Sequence, residues 1–216
     1  MITIPESDLV VHELCLGSNI FGGNATEAES HLVMDAYKSH GGNFIDTADM
    51  YNQWIEGHVG GESESVIGSW MKSRGNRADM VIATKVSKMD RRPGLSAKNI
   101  VAACEESLDR LQTDYIDLWQ VHSWDSATPL EDTLSALDYA YSSGKARYVG
   151  ICNFSGWQSA RATTIQESNT AKAPIASLQV EYSLLNRSAE DEVLPCADAT
   201  GLGFLAWAPM GRGVLT

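Results

Sequence analysis

The feature that most constrains the fold of this chain is a strict alternation of short, apolar, β-branched runs with longer amphipathic segments. Seven such runs are predicted to be strands, and no unit repeats another in sequence. Alternation of this kind indicates a parallel sheet covered by helices, and therefore an α/β fold. The predicted strands span residues 13–18, 43–46, 79–86, 115–122, 146–152, 174–182 and 203–209.

The segments between the strands carry helix start signals. Thr26 is a capping residue followed by acids in the first turn, and Thr128 precedes a proline at the first helical position. The predicted helices span residues 26–39, 65–72, 96–111, 129–141, 156–167 and 189–199.

Two architectures fit this alternation, a closed barrel and an open, doubly wound sheet. The first turn, LGSNIFGG, lacks the G-x-G-x-x-G pattern that opens directly into a helix in dinucleotide-binding sheets. Seven units are also many for an open sheet, whereas a (β/α)8 TIM barrel has eight and takes about 250 residues. We therefore predict one domain over residues 1–216, a (β/α)8 barrel whose eighth βα unit is absent from this chain.

Composition argues against several classes of protein. A hydrophobic fraction of 44% supports one large core, and a net charge of −12 argues against nucleic acid as a partner. There is no apolar run of membrane-spanning length and no secretory signal at the N-terminus. Four scattered cysteines, without metal-ligand spacing, indicate reduced thiols of a cytoplasmic protein and no metal site. The sequence is compatible with a homo-oligomer.

Polar residues end several of the predicted strands, where barrel enzymes place their chemistry. Each alone is more often a surface lysine, a structural histidine or a turn cap. Together, Asp46, Lys85 and His122 would lie side by side, with Tyr51 on the loop between the first two. An ammonium group beside Tyr51 would lower the pKa of its phenol from about 10, and Asp46 would keep Lys85 charged. With His122 orienting a carbonyl oxygen, these residues would form an acid catalyst.

The same residues stand in recognisable motifs. DTADMY, GGESESVIGSW, IATKV, YIDLWQVHSWD, GKARYVGICNFS and LQVEYSLLNR follow one another along the chain. In this combination the chain resembles the aldo-keto reductases, in a bacterial branch near the potassium-channel β-subunits. The resemblance implies a TIM-barrel reductase of small aldehydes or ketones that uses NADP(H) rather than NAD(H). Hydride would pass from the nicotinamide C4 to the carbonyl carbon while Tyr51, in a tetrad with Asp46, Lys85 and His122, protonates the oxygen as general acid.

The resemblance also implies a cofactor site. Asn153 and Gln179 would hold the nicotinamide carboxamide, and Trp207 stands where the family stacks a tyrosine on the ring. Cys152 and Ala208 replace frequent serines, which removes two hydroxyl groups from this region. The full set of implied cofactor-contacting residues is Asp46, Cys152, Asn153, Gln179, Trp207, Ala208, Met210, Gly211 and Arg212.

Loops after two of the strands carry tryptophans. Trp54 and Trp124 are candidates for the walls of an apolar substrate pocket, although Trp54 would equally anchor its loop and Trp124 would equally be buried. Glu64 is expected to serve the dipole of its helix or the active site, and Asp49 to be solvated. Two alternatives to an active reductase remain open, a cofactor-binding regulatory subunit and an inactive barrel fragment.

Overall fold

A computed structural model of the protein describes residues 1–168 and 172–216. The strands in chain order are β1 (Ile2–Thr3), β2 (Val10–Val11), β3 (Leu16–Gly17), β4 (Phe44–Asp46), β5 (Val81–Val86), β6 (Lys88–Met89), β7 (Arg92–Pro93), β8 (Ile116–Val121), β9 (Ala146–Cys152), β10 (Ile175–Glu181) and β11 (Gly203–Trp207). The helices are α1 (Glu27–Ser39), α2 (Glu62–Arg74), α3 (Ala97–Leu111), α4 (Leu130–Ser142), α5 (Gly156–Glu167) and α6 (Val193–Ala199).

The central sheet has seven strands in the order β11-β10-β9-β8-β5-β4-β3, and every pair in it is parallel. Helices cross from the end of one strand to the start of the next, so all seven strands end at the same rim. This arrangement confirms the α/β class and the predicted order of the seven strands. It brings the strand-end residues of the sequence to one edge of the fold.

Alternate strand residues supply two apolar layers, one on each face of the sheet. The outer layer packs the sheet against the helices and contains the buried Trp70 and Trp119. The inner layer joins Phe44, Ala83 and Leu118 to residues of the β1–β2 hairpin. Because Phe44 is the first residue of its strand, this hairpin lies at the end of the sheet opposite the rim where the strands end.

The two short hairpins, β1–β2 and β6–β7, were not predicted from the sequence. Each contains strands of two residues, which are too short to show an alternating pattern. The first strand of the central sheet is also shorter than predicted, since it covers only Leu16–Gly17.

Two helices begin three or more residues away from the predicted start. Helix α2 begins at Glu62 because Gly61 adopts a φ of 91°, a left-handed turn that starts the helix three residues before the predicted Ser65. Helix α6 begins at Val193 because residues Ser188–Glu190 form a separate 3-10 turn. Within the described residues, no helix has the length and apolar character needed to cross a bilayer.

Candidate active site

The buried side chain of Lys85 is the centre of the site. Its Nζ atom donates to Asp46 Oδ2 at 2.5 Å, to the carbonyl oxygen of Thr47 at 2.8 Å and to Tyr51 Oη at 3.2 Å. Burial, the largest single influence, lowers the pKa of Lys85, but Asp46, Tyr51 and Cys152 together outweigh it and hold this pKa above its ordinary value. Lys85 is therefore a fully buried cation with three acceptors.

Asp46 accepts hydrogen bonds on both carboxylate oxygens. In addition to the contact with Lys85, Oδ1 accepts from Gln179 Nε2 at 3.0 Å and from Gln120 Nε2 at 3.3 Å. A buried carboxylate is stable only when it is paired and hydrogen-bonded, and these three donors meet that condition. The Asp46–Lys85 pair is thus neutral as a unit and fixed in orientation.

The pKa of Tyr51 differs from the expectation. Lys85 does act to lower the pKa of the phenol, but burial has the larger effect, so the pKa of Tyr51 is raised above 10. At neutral pH the hydroxyl group therefore carries its proton. The predicted contact between Tyr51 and Lys85 is present, and the predicted net lowering of the pKa is wrong.

His122 lies beside Tyr51, with 6.1 Å between the two ring centroids. Burial, together with the positive charges of Lys85 and Lys88, holds the pKa of His122 well below 6.5. The imidazole is therefore neutral, and a neutral imidazole carries a single N–H that can donate to an oxygen atom. All four residues of the predicted tetrad meet at this rim.

The predicted cofactor residues of β9, β10 and β11 are neighbours. Asn153, whose φ is 56°, donates from Nδ2 to the carbonyl oxygen of His122 at 2.9 Å and accepts from Trp207 Nε1 at 3.0 Å. The thiol of Cys152 is buried 3.8 Å from Gln179 Oε1, and burial raises the pKa of this thiol to about 12. Gln179 Oε1 thus has only a weak sulfur donor and can accept from an amide.

The chain beyond β11 turns sharply beside Trp207. Ala208, Gly211 and Arg212 adopt φ values of 51°, 57° and 55°, and the Arg212 guanidinium carbon lies 5.5 Å from the centroid of the Trp207 ring. An amide acceptor, an aromatic ring and a cation therefore lie in succession along one side of the rim. This set fits a nicotinamide dinucleotide, whose carboxamide, ring and phosphates need those three kinds of group.

The two candidate pocket tryptophans occupy different surroundings. Trp54 is 54% exposed, and its ring centroid lies 6.2 Å from that of Tyr51. Trp124 is half-buried and packs edge-on against Phe154 at 5.3 Å and Trp157 at 5.5 Å. The structure therefore brings Trp54 to the tetrad and places Trp124 in an aromatic cluster.

Two acidic residues near the site are buried. Glu64 is fully buried, accepting from Arg110 Nε at 2.6 Å and from Thr84 Oγ1 at 2.6 Å, so it serves an internal ion pair. The expected solvation of Asp49 is wrong, because the Asp49 N–H donates to the Lys85 carbonyl oxygen at 3.1 Å and turns its side chain inward. Burial, and secondarily the charge of Glu64, raises the pKa of Asp49 to about 7.

Sequence reasoning missed two glutamines near the site. Gln120 precedes His122 by two residues on β8, so the alternation of a strand points both side chains to the same face. Gln53 donates to the Lys88 carbonyl oxygen at 3.0 Å and accepts from the Asp90 N–H at 2.9 Å, which fastens the Tyr51 loop to the β6–β7 hairpin. The alternation of β8 could have indicated Gln120, whereas the sequence carries no signal for Gln53.

A parallel α/β sheet whose rim holds a lysine–carboxylate pair, a protonated tyrosine and a neutral histidine is typical of barrel reductases. Comparison with known proteins agrees, since the model of the Aldo/keto reductase family matches residues 13–216. The chain belongs to this family. The fold of the family is a (β/α)8 barrel, which confirms the predicted architecture for the seven strands described.

Several curated proteins are similar over almost the whole chain. The uncharacterized oxidoreductase YrpG of Bacillus subtilis is 39% identical, with 97% of this chain and 66% of YrpG covered. Protein tas of Escherichia coli is 36% identical, with coverages of 99% and 68%. Aryl-alcohol dehydrogenase GME11368 of Pestalotiopsis microspora is 31% identical, with coverages of 97% and 57%. The chain thus spans between 57% and 68% of the length of these relatives.

Proposed function

We propose that this protein is an NADPH-dependent reductase that converts aldehydes or ketones to alcohols, with Tyr51 as the general acid. The observation that carries the proposal is the position of Lys85 Nζ, which contacts both Asp46 Oδ2 and Tyr51 Oη. A cation at 3.2 Å from a phenol oxygen stabilises the negative charge that appears as the proton leaves.

The proton transfer follows from the states of the four side chains. Tyr51 carries its proton at neutral pH because burial raises its pKa. His122, held neutral, donates to the carbonyl oxygen of the substrate and orients it towards the Tyr51 hydroxyl. Lys85 stabilises the phenolate as it forms, and Asp46 keeps Lys85 charged.

The nicotinamide cofactor supplies the hydride when it is bound. Gln179 and Asn153 would hold its carboxamide, Trp207 would lie against the ring, and the backbone of Met210, Gly211 and Arg212 would approach the phosphates. We propose NADPH rather than NADH because members of the family commonly use NADPH. Trp54, exposed beside Tyr51, supports an aromatic carbonyl compound as substrate, as does the similarity to a relative named aryl-alcohol dehydrogenase.

We further propose that the protein acts in the cytoplasm on a small carbonyl substrate, as a monomer or homo-oligomer. All four cysteines are free thiols, which suits a reducing compartment. The net charge of −12 disfavours nucleic acid as a partner. No membrane partner is proposed.

The test is oxidation of NADPH, followed by its absorbance, with 4-nitrobenzaldehyde as substrate. Tyr51→Phe removes the transferable proton and keeps the ring, so we expect kcat to fall by about 10²–10⁴-fold. Tyr139→Phe is the matched control, because Tyr139 is an exposed residue of α4, and it should keep full activity. Undiminished turnover by Tyr51→Phe contradicts the acid role, and tight NADPH binding without turnover of any carbonyl indicates a regulatory subunit.

A further inference from the structure

The row of the sheet that contains Lys85 is polar. In the strand register Lys85 pairs with Gln120, Gln120 with Gly150, and Gly150 with Ser177. Every side chain in this row is fully buried. Below it, the inner face of the sheet is apolar, with Ala83 and Leu118 at the next inward positions. A polar residue in such a position must have a partner or a task.

Gln120 has one hydrogen-bond partner among the described residues, and that partner is Asp46 Oδ1. Its Oε1 atom is buried without a partner. The side chain lies over Gly150, where an added Cβ atom would come within 3.1 Å of Gln120 Cγ and 2.3 Å of Ser177 Oγ. The glycine therefore leaves room for the side chains of Gln120 and Ser177.

The two glutamines that donate to Asp46 differ in what else they reach. Gln179 ends at the rim, and under the proposed function it also holds the nicotinamide carboxamide. Gln120 is enclosed within the sheet, and among the described residues its side chain hydrogen-bonds to Asp46 alone. Gln120 is thus the donor to Asp46 Oδ1 whose position does not depend on whether cofactor or substrate is bound at the rim.

We propose that Gln120 is a positioning residue, which occupies Asp46 Oδ1 so that the Lys85 ammonium is shared between Asp46 Oδ2 and Tyr51. This inference rests on the proposed function. The distance of 3.2 Å to Tyr51 is the longest of the three contacts of Lys85 Nζ, so it is the first to weaken. Without the donor from Gln120, Asp46 draws Lys85 more strongly, and less of its charge remains for the Tyr51 oxygen.

Gln120→Met and Gln120→Glu test this role by different means. Methionine keeps the length and removes the donor, so we expect kcat to fall about five- to tenfold at every pH, with KM for 4-nitrobenzaldehyde changed less than about twofold. A protonated carboxyl at this position still donates to Asp46, whereas an ionised one repels it. The kcat of Gln120→Glu, relative to the wild-type protein, should therefore fall as the pH rises, and that of Gln120→Met should not.

Other titratable groups around Gln120 do not produce the same dependence of kcat on pH. Asp46 and Lys85 form the neutral pair, and the pKa values of Tyr51, Cys15 and Cys152 are all raised, the last to about 12. Ser177→Ala is the matched control, because Ser177 shares the row, has no hydrogen-bond partner for its hydroxyl among the described residues and should leave kcat unchanged.

A second measurement needs no turnover. The Tm of Gln120→Glu, minus that of Gln120→Met, should decrease as the pH rises through the titration of the introduced carboxyl group. Gln120→Asn, which keeps the amide but is one methylene short, replaces Gln120→Met if the latter does not fold. Equal pH profiles of kcat and of Tm for Gln120→Glu and Gln120→Met overturn the inference. A wild-type protein without reductase activity overturns the proposed function, and the Tm comparison then still decides whether Gln120 supports Asp46.

Discussion

Replacing Asp49 by asparagine tests whether a carboxyl group is held without a partner inside the fold. The side chain has no solvent exposure, and neither carboxylate oxygen has a hydrogen-bond partner among the described residues. Burial and the nearby Glu64 carboxylate raise the pKa of Asp49 from 3.8 to about 7, against the opposing effect of Arg92 and Arg110. Asp49→Asn keeps the shape and removes the titration.

The expected effect on stability follows from the two pKa values. The unfolded chain releases this proton near pH 3.8, whereas the folded protein holds it until about pH 7. The free energy of unfolding therefore falls as the pH rises between these values, by about 1.4 kcal/mol per pH unit, and is constant above them. Between pH 5 and pH 7.5 the wild-type protein should lose about 2–3 kcal/mol that Asp49→Asn keeps.

Urea unfolding at pH 5, 6, 7 and 7.5, followed by circular dichroism, measures this difference. The informative quantity is the change with pH in the difference between variant and wild type, because a constant offset from the buried amide cancels. Asp191→Asn, at an exposed carboxyl after the 3-10 turn, is the matched control and should follow the wild-type curve. If the curves of Asp49→Asn and the wild-type protein run parallel from pH 5 to pH 7.5, the reasoning about Asp49 is refuted.

Two further predictions concern the packing beneath the site and the substrate pocket. Glu64→Gln removes the shorter of the two ion pairs of the mostly buried Arg110 guanidinium and leaves the one with Glu106 at 3.4 Å, so urea unfolding should show a loss of about 2–3 kcal/mol. Arg161→Gln, which breaks an exposed pair, should cost less than about 1 kcal/mol, and equal losses would contradict the structural role of Glu64. Trp54→Ala should raise KM for 4-nitrobenzaldehyde about five- to tenfold with little change in kcat, and an unchanged KM in steady-state assays would show that Trp54 does not contact the substrate.

The residues that the sequence predicted best are those at strand ends. Asp46, Lys85 and His122 follow apolar runs, and the parallel register alone brings the carboxyl ends of β4, β5 and β8 together. Tyr51 could be placed because it lies only five residues beyond Asp46. Neither step needed knowledge of any side-chain packing, which is why both predictions agree with the structure.

The burial of two acidic residues depends on contacts between distant segments, which the sequence did not show. Glu64 is buried because Arg110, 46 residues away, reaches it from α3. Asp49 is buried because its loop is bonded to the backbone of β5. Both acids looked like ordinary polar residues of a loop and a helix start, since a single sequence shows which residues are charged but not which distant charges meet them.

In the proposed reaction, the raised pKa of Tyr51 confines the effect of Lys85 to the phenolate. If the lysine had lowered this pKa towards neutrality, part of the tyrosine would be phenolate before the reaction and could not donate. Burial keeps the hydroxyl protonated, and the Lys85 contact acts on the negative charge only as the proton leaves. Because the ammonium is already paired with Asp46, it need not be desolvated or moved at that moment. The two opposing influences on one pKa thus act at different stages, burial on the resting phenol and Lys85 on the phenolate.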